Sequence, residues 1–229
     1  MRAVLVGYGE IGKAVKSVFD PFHEIEVCEI DRKPEGQFDI MLVAIPYVEG
    51  FEKTIEDYRE EFGVKAIIFF ATLAIGTTSK FENAVHSPVE GKHPDLAESI
   101  QKMPRWVGGY NEIVGEFFEK AEIKPRYVDK PEFTEFLKLR STSKYGINIQ
   151  FARYEKSVCD DLEMSFDLIK KFDQDYNDLY EEMGMPQFKR YILDAPEGKI
   201  GGHCVVPNAK ILDNQYPSEL LKQIYKEEV

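Results

Sequence analysis

The chain has 229 residues, enough for one large domain, or a domain with a smaller companion, around a sizeable buried core. Its 29 basic residues stand against 41 acidic ones, a formal net charge of −12, which argues against a nucleic-acid polymer as partner because that binding wants a basic face. No stretch approaches the roughly 20 apolar residues of a membrane span, the apolar run at the N-terminus is too short for a signal peptide, and three widely spaced cysteines, Cys28, Cys159 and Cys204, read as thiols of a reducing cytoplasm.

Residues 3–6 (Ala-Val-Leu-Val) form an apolar run suited to a buried parallel strand. They lead into Gly7-Tyr8-Gly9-Glu10-Ile11-Gly12, a G-x-G-x-x-G loop, and then into a helical pattern over 13–19. Strand, glycine loop and helix together are the context in which this motif points to a dinucleotide. Gly7 allows the tight turn, Gly9 lets the backbone approach a pyrophosphate, and Gly12 lets helix and strand pack closely. The helix N-terminus then offers free N–H groups to phosphate. The next strand is expected at 25–30, followed by Asp31, an acidic residue placed to bind an adenosine ribose hydroxyl. Asp31 therefore favours NAD, while Arg32 beside it is suited to stacking on adenine or to meeting the extra phosphate of NADP.

Residues 39–45, ending at Pro46, are a third apolar strand. Only a short link separates it from Asp31, less than a full crossover requires, so either a helix is missing or the strand order is altered. A helix is expected over 48–62, a strand over 65–70, a short helix over 79–83, a strand over 106–109, a helix over 114–121 and a last strand over 124–128. Alternating strands and helices predict an α/β, doubly wound parallel sheet. From Pro131, a residue suited to a first helical turn, hardly a breaker appears before Met164. One long helix is expected there, with a bend near Ser141-Thr142-Ser143 and Gly146, and a second helix over 165–183 whose acidic residues read as a solvated face. The predicted domains are therefore 1–129, Rossmann-like and dinucleotide-binding, and 130–229, all-helical. The interrupted apolar face of the long helix needs a partner surface, and a homodimer is expected.

A second informative stretch is Gly201-Gly202-His203-Cys204, where glycines set one cysteine on a tight loop. Such a thiol becomes nucleophilic where nearby charge or dipoles stabilise the thiolate; a free cysteine is otherwise most often a small buried residue. With Ala71-Thr72 through Gly76-Thr77-Thr78, Ser87-Pro88-Val89-Glu90-Gly91 and the long helix over 135–154, this loop resembles the nucleotide-sugar dehydrogenase family, typified by UDP-glucose and GDP-mannose dehydrogenases. The likeness runs over roughly residues 1–215 and takes Lys138 as the family's helix lysine. Thr142 stands where that family has asparagine, and Asn208 where it has aspartate. A spacing of four puts residues 138 and 142 on one helix face. The family's C-terminal domain is expected to be absent.

The resemblance implies a four-electron oxidation of a primary alcohol on a small, sugar-like substrate, with NAD as cofactor and no metal. Cys204 would capture the intermediate aldehyde, Lys138 would stabilise charge on oxygen, Thr72 and Glu90 would position or activate water, and Thr142 and Asn208 complete the site. It also implies dimerisation through the long helix. Two other readings stand beside it: a two-electron 3-hydroxyacid-type dehydrogenase, which needs no cysteine, and a degenerate dinucleotide-binding protein without catalysis.

Overall fold

A computed structural model describes residues 1–91, 94–200 and 204–226. In chain order the first part contains β1 (Arg2–Val6), α1 (Glu10–Phe19), β2 (Glu24–Cys28), β3 (Ile40–Val43), α2 (Phe51–Phe62), β4 (Ala66–Phe69), β5 (Ala84–His86), α3 (Leu96–Lys102), β6 (Trp106–Gly108), α4 (Glu112–Lys120) and β7 (Arg126–Val128). The strands form one sheet in the order β2-β1-β3-β4-β5-β6-β7. Side chains alternate across it, as the two-residue strand period requires. Leu5, Val27, Leu42 and Ile68 face α1, α3 and α4, while Val4, Val6, Met41, Val43 and Phe69 face α2. Both faces are covered, which is why the central strands read as unbroken apolar runs rather than as alternating ones.

The open question of the link between β2 and β3 is resolved without a helix. The two strands flank β1, and the chain crosses between them through irregular backbone. Arg2 secures this crossing. Its guanidinium pairs with Glu26 at 2.6 Å, donates to the carbonyls of Glu35 and Gln37, and lies over the ring of Phe38. Phe38 is buried edge-on against Phe62.

The sheet departs from the expected parallel pattern at one place. β5 and β6 are antiparallel, joined in register at His86 and Gly108, while every other adjacent pair is parallel. β5 and α3 were not expected from the sequence. Three and seven residues are too few to establish a period against their loop surroundings.

The chain divides into two compact units, Met1–Leu139 and Arg140–Val229. The division falls inside α5 (Pro131–Asp161), which runs for 31 residues without a break at Ser141–Ser143 or Gly146. Its start belongs with the sheet because Thr134 and Glu135 are fully buried there. The second unit holds the rest of α5 with α6 (Asp167–Glu182), α7 (Val205–Gln215) and α8 (Glu219–Lys222). Gly146 is explained by close approach: a Cβ there would stand 2.7 Å from Val205 and 3.0 Å from Ile224. The acidic residues of α6 pair locally, Asp173 with Arg190, Asp175 with Lys171 and Asp167 with Lys170. No helix among the described residues is long and apolar enough to cross a membrane.

Candidate active site

β1, β3, β4 and β5 are mutually parallel, so their carboxyl ends open on one edge of the first unit. β2 lies to one side of β1 and β3 to the other. This is the switch point at which open α/β sheets bind ligands.

The glycine loop follows β1. Gly7 has φ +94°, and a Cβ there would meet Ile45 at 2.6 Å and the Ala44 carbonyl oxygen at 2.9 Å. A Cβ on Gly12 would stand 2.1 Å from the Gly7 carbonyl oxygen. Both positions require glycine for the fold itself. Gly9, at the N-terminal end of α1, is different, since a Cβ there would meet nothing within 4 Å. Ile11 turns its side chain to the core, Glu10 opens the helix, and Tyr8 leaves its ring partly exposed beside Lys13.

A carboxylate is bonded to this loop. Glu29 accepts from the backbone N–H of Tyr8. Asp31 sits two residues further, exposed in the turn of a small hairpin closed by the reciprocal backbone bonds of Glu29 and Arg32. β2 ends at Cys28, not at Ile30, so the acid at the strand end is Glu29. The spacing rule fits both residues, and the strand ends two residues earlier than the sequence pattern indicated. Pro46 is exposed just past β3, and Thr72 is half-buried just past β4.

Past β4 and β5 a buried polar cluster joins the sheet to α5. Glu135 is fully buried and accepts from the Thr78 N–H at 2.8 Å, the Thr78 hydroxyl at 2.7 Å and the Gly76 N–H at 2.6 Å. Burial pushes its carboxyl pKa up, against the pull of those three donors. His86 is also fully buried. It is held between the Thr134 hydroxyl at 2.9 Å and the Ala71 carbonyl at 3.0 Å, which makes Nε2 the protonated nitrogen and Nδ1 the acceptor. Burial lowers its pKa to about 4, with the Lys138 charge acting in the same direction. Lys138, one helical turn after Glu135, donates to the Val89 carbonyl at 2.6 Å and stands 3.7 Å from the Glu90 carboxylate. The sequence singled out Lys138 and Glu90 for separate roles, and the structure sets their charged groups 3.7 Å apart. The sequence reading missed Glu135 and His86, although Glu135 carries a readable signal in its three-residue spacing from Lys138.

In the second unit, Cys204 is exposed and is the N-cap residue of α7. Residues 205–208, directly after the cysteine, form the first turn of that helix. Asn208 is consequently buried, with its N–H on the Cys204 carbonyl and its side-chain amide donating to the Thr142 hydroxyl at 3.0 Å. The two positions that differ from the nucleotide-sugar dehydrogenase pattern thus bond directly to each other. Gly201, Gly202 and His203 lie outside the described residues.

No family model matches the sequence, and no curated protein matches it. Solved structures do match its fold. The chain superposes over 100% of its length on 68% of the UDP-D-ManNAc dehydrogenase from Pyrococcus horikoshii, with TM-score 0.77 and 14% identity. It covers 67% of a UDP-glucose dehydrogenase from Pyrobaculum islandicum, with TM-score 0.71 and 13% identity over 98% of its own length. It covers 91% of the 3-hydroxyisobutyrate dehydrogenase from Mycobacterium tuberculosis, with TM-score 0.70 and 9% identity, again over 98% of its own length. The chain therefore has the fold of these dehydrogenases, a Rossmann-like sheet unit continued by a helical one.

Proposed function

We propose that this chain is a nicotinamide-dinucleotide-dependent dehydrogenase that oxidises a primary alcohol of a small, sugar-like substrate to a carboxylate. The glycine loop carries the reading. Gly7 and Gly12 are demanded by their own surroundings, whereas a Cβ on Gly9 would point into open space. That place lies against the N-terminus of α1, where N–H groups suit a pyrophosphate. Glu29, beside the loop, favours NAD because its carboxylate would repel the extra phosphate of NADP. Asp31 and Arg32 then belong to the adenosine side, and Pro46 and Thr72 to the following strand ends. When bound, the nicotinamide supplies the hydride acceptor for both oxidations.

The chain's own residues do the rest. Lys138 donates to the substrate oxygen as negative charge develops on it. The Cys204 sulfur adds to the aldehyde carbon and the oxygen takes a proton, giving a thiohemiacetal. Its oxidation leaves a thioester, and water replaces sulfur at the acyl carbon to release acid and thiol. Glu90 and Thr72 position that water, and the Thr142–Asn208 bond fixes the start of the cysteine's helix to α5. The cysteine loop's resemblance to nucleotide-sugar dehydrogenases supports this role for Cys204. Exposed Phe151, Tyr154, Leu162, Leu168 and Phe172 support a homodimer through α5 and α6, and the three free thiols support a reducing compartment.

A second reading, a two-electron 3-hydroxyacid dehydrogenase, is favoured by the coverage of 91% of the hydroxyisobutyrate enzyme. Calorimetry and product stoichiometry separate the two. NAD should bind, and Gly9→Ala should weaken binding at least ten-fold while leaving the melting temperature within about 2 °C, since the added Cβ meets no protein atom within 4 Å. With UDP-sugar alcohols, the first reading gives two reduced nicotinamides per alcohol, and Cys204→Ser removes acid formation. One per alcohol, indifferent to Cys204→Ser, selects the second reading. Binding of neither NAD nor NADP refutes both.

A further inference from the structure

We propose that Arg105 is a positioning residue for Lys138, acting through the backbone of residues 88–90 and the carboxylate of Glu90. The inference rests on the role given to Lys138 above. The antiparallel pairing of β5 and β6 makes it possible. Because His86 pairs with Gly108 and the strands run oppositely, the residues after His86 lie alongside those before Gly108. A parallel β6, as the sequence pattern implied, would have left Arg105 at the far end of the sheet from Glu90.

The guanidinium is 3% exposed and donates to the Pro88 carbonyl at 3.0 Å. The next carbonyl, that of Val89, receives Lys138 at 2.6 Å, and the next side chain, Glu90, is 3.7 Å from the same ammonium. Two cations thus hold consecutive carbonyls of one short segment. The Arg105 charge is expensive to keep there. Burial lowers its pKa to about 10, with the Glu90 charge opposing the shift, and its Nε finds no partner. A purely structural role is served equally well by an apolar side chain, which avoids that desolvation. The arrangement is explained if the guanidinium fixes where Glu90 stands, so that Lys138 is presented in one geometry. Ser87, just before this segment, is tied to β4 through its backbone N–H on the Phe69 carbonyl at 2.8 Å, while its hydroxyl is buried without a partner.

The test reads Lys138 itself and needs neither substrate nor cofactor. The full chain is labelled with trace acetic anhydride across pH, and the rate at Lys138 is read by mass spectrometry beside an exposed lysine such as Lys53. Arg105→Gln should raise labelling of Lys138 about five-fold at fixed pH and shift its pH profile, a change in the range for contacting groups. Arg105→Lys, which keeps the charge but not the fork of donors, should fall between the two and decides the matter if Arg105→Gln does not fold. In a Glu90→Gln background the effect of the Arg105 substitution should shrink to what passes through the Val89 carbonyl. A Lys138 profile unchanged in either variant, or an equal change in the Glu90→Gln background, overturns the proposal. Failure of the dehydrogenase reading would appear as absent dinucleotide binding and would leave these profiles as they are.

Discussion

Replacing Glu135 is the most demanding perturbation of the sheet unit. Glu135→Ala removes the acceptor of three donors, two of them backbone N–H groups. Thr78 is fully buried, so its N–H and hydroxyl cannot turn to water, whereas Gly76 is half-exposed and can be hydrated. At about 1–3 kcal/mol for each buried donor left unmet, the two Thr78 donors make the loss about 2–6 kcal/mol. For a unit of this size that lowers the melting temperature by roughly 10 °C. Glu135→Gln should also destabilise, because its NH2 faces a donor where a carboxylate oxygen accepted. The pH dependence has a fixed sign. Burial raises the carboxyl pKa in the folded state, so the folded form holds its proton more tightly than the unfolded one. That contribution is full below the unfolded value and is lost as pH rises through the raised folded value. The wild type should therefore gain stability relative to Glu135→Gln on acidification toward pH 4.5. Urea titrations followed by circular dichroism between pH 4.5 and 7.5 measure both effects. A Glu135→Ala loss under about 0.5 kcal/mol, within the range of ordinary surface changes, refutes the clamp, and a gap between wild type and Glu135→Gln that ignores pH refutes the sign.

His86 gives the opposite slope. Burial takes its pKa from 6.5 to about 4, so the unfolded chain binds the extra proton first, and the stability present above pH 6.5 is lost as pH falls toward 4. The loss reaches about 3 kcal/mol, and His86→Gln should abolish this acid slope in the same titrations; a slope that survives the substitution excludes His86 as its source. The proposed dimer is checked by light scattering at micromolar concentration. A mass near twice 26.4 kDa is expected, with Phe151→Glu and Leu168→Glu returning it to the monomer, and a wild-type mass of one chain refutes the interface.

The sequence alone determined the parts of this protein that depend on local rules. A continuous apolar run followed by G-x-G-x-x-G admits few conformations, because Gly7 must take a positive φ and Gly12 must sit against a carbonyl. The first strands, α1, α2 and the long α5 were accordingly legible from periodicity and breakers. Lys138 and Glu90 were each singled out through resemblance, but not as neighbours. What the sequence left open depends on non-local pairing. A strand of three residues such as β5 has almost no pattern, and nothing local says whether β6 runs with it or against it. That direction alone decides that Arg105 meets the carbonyl of Pro88. Whether Glu29 or Asp31 faces the glycine loop turns on where β2 stops pairing with β1, a matter of register that two acids one residue apart cannot announce. Glu135 reads as one more helix carboxylate until tertiary packing buries it against Gly76 and Thr78. Likewise Gly146 reads as a helix breaker until α7 and α8 are packed against it, where only the absence of a side chain lets them approach. Local chemistry selects the elements, and the close approach of segments distant in sequence selects which of their polar groups work together.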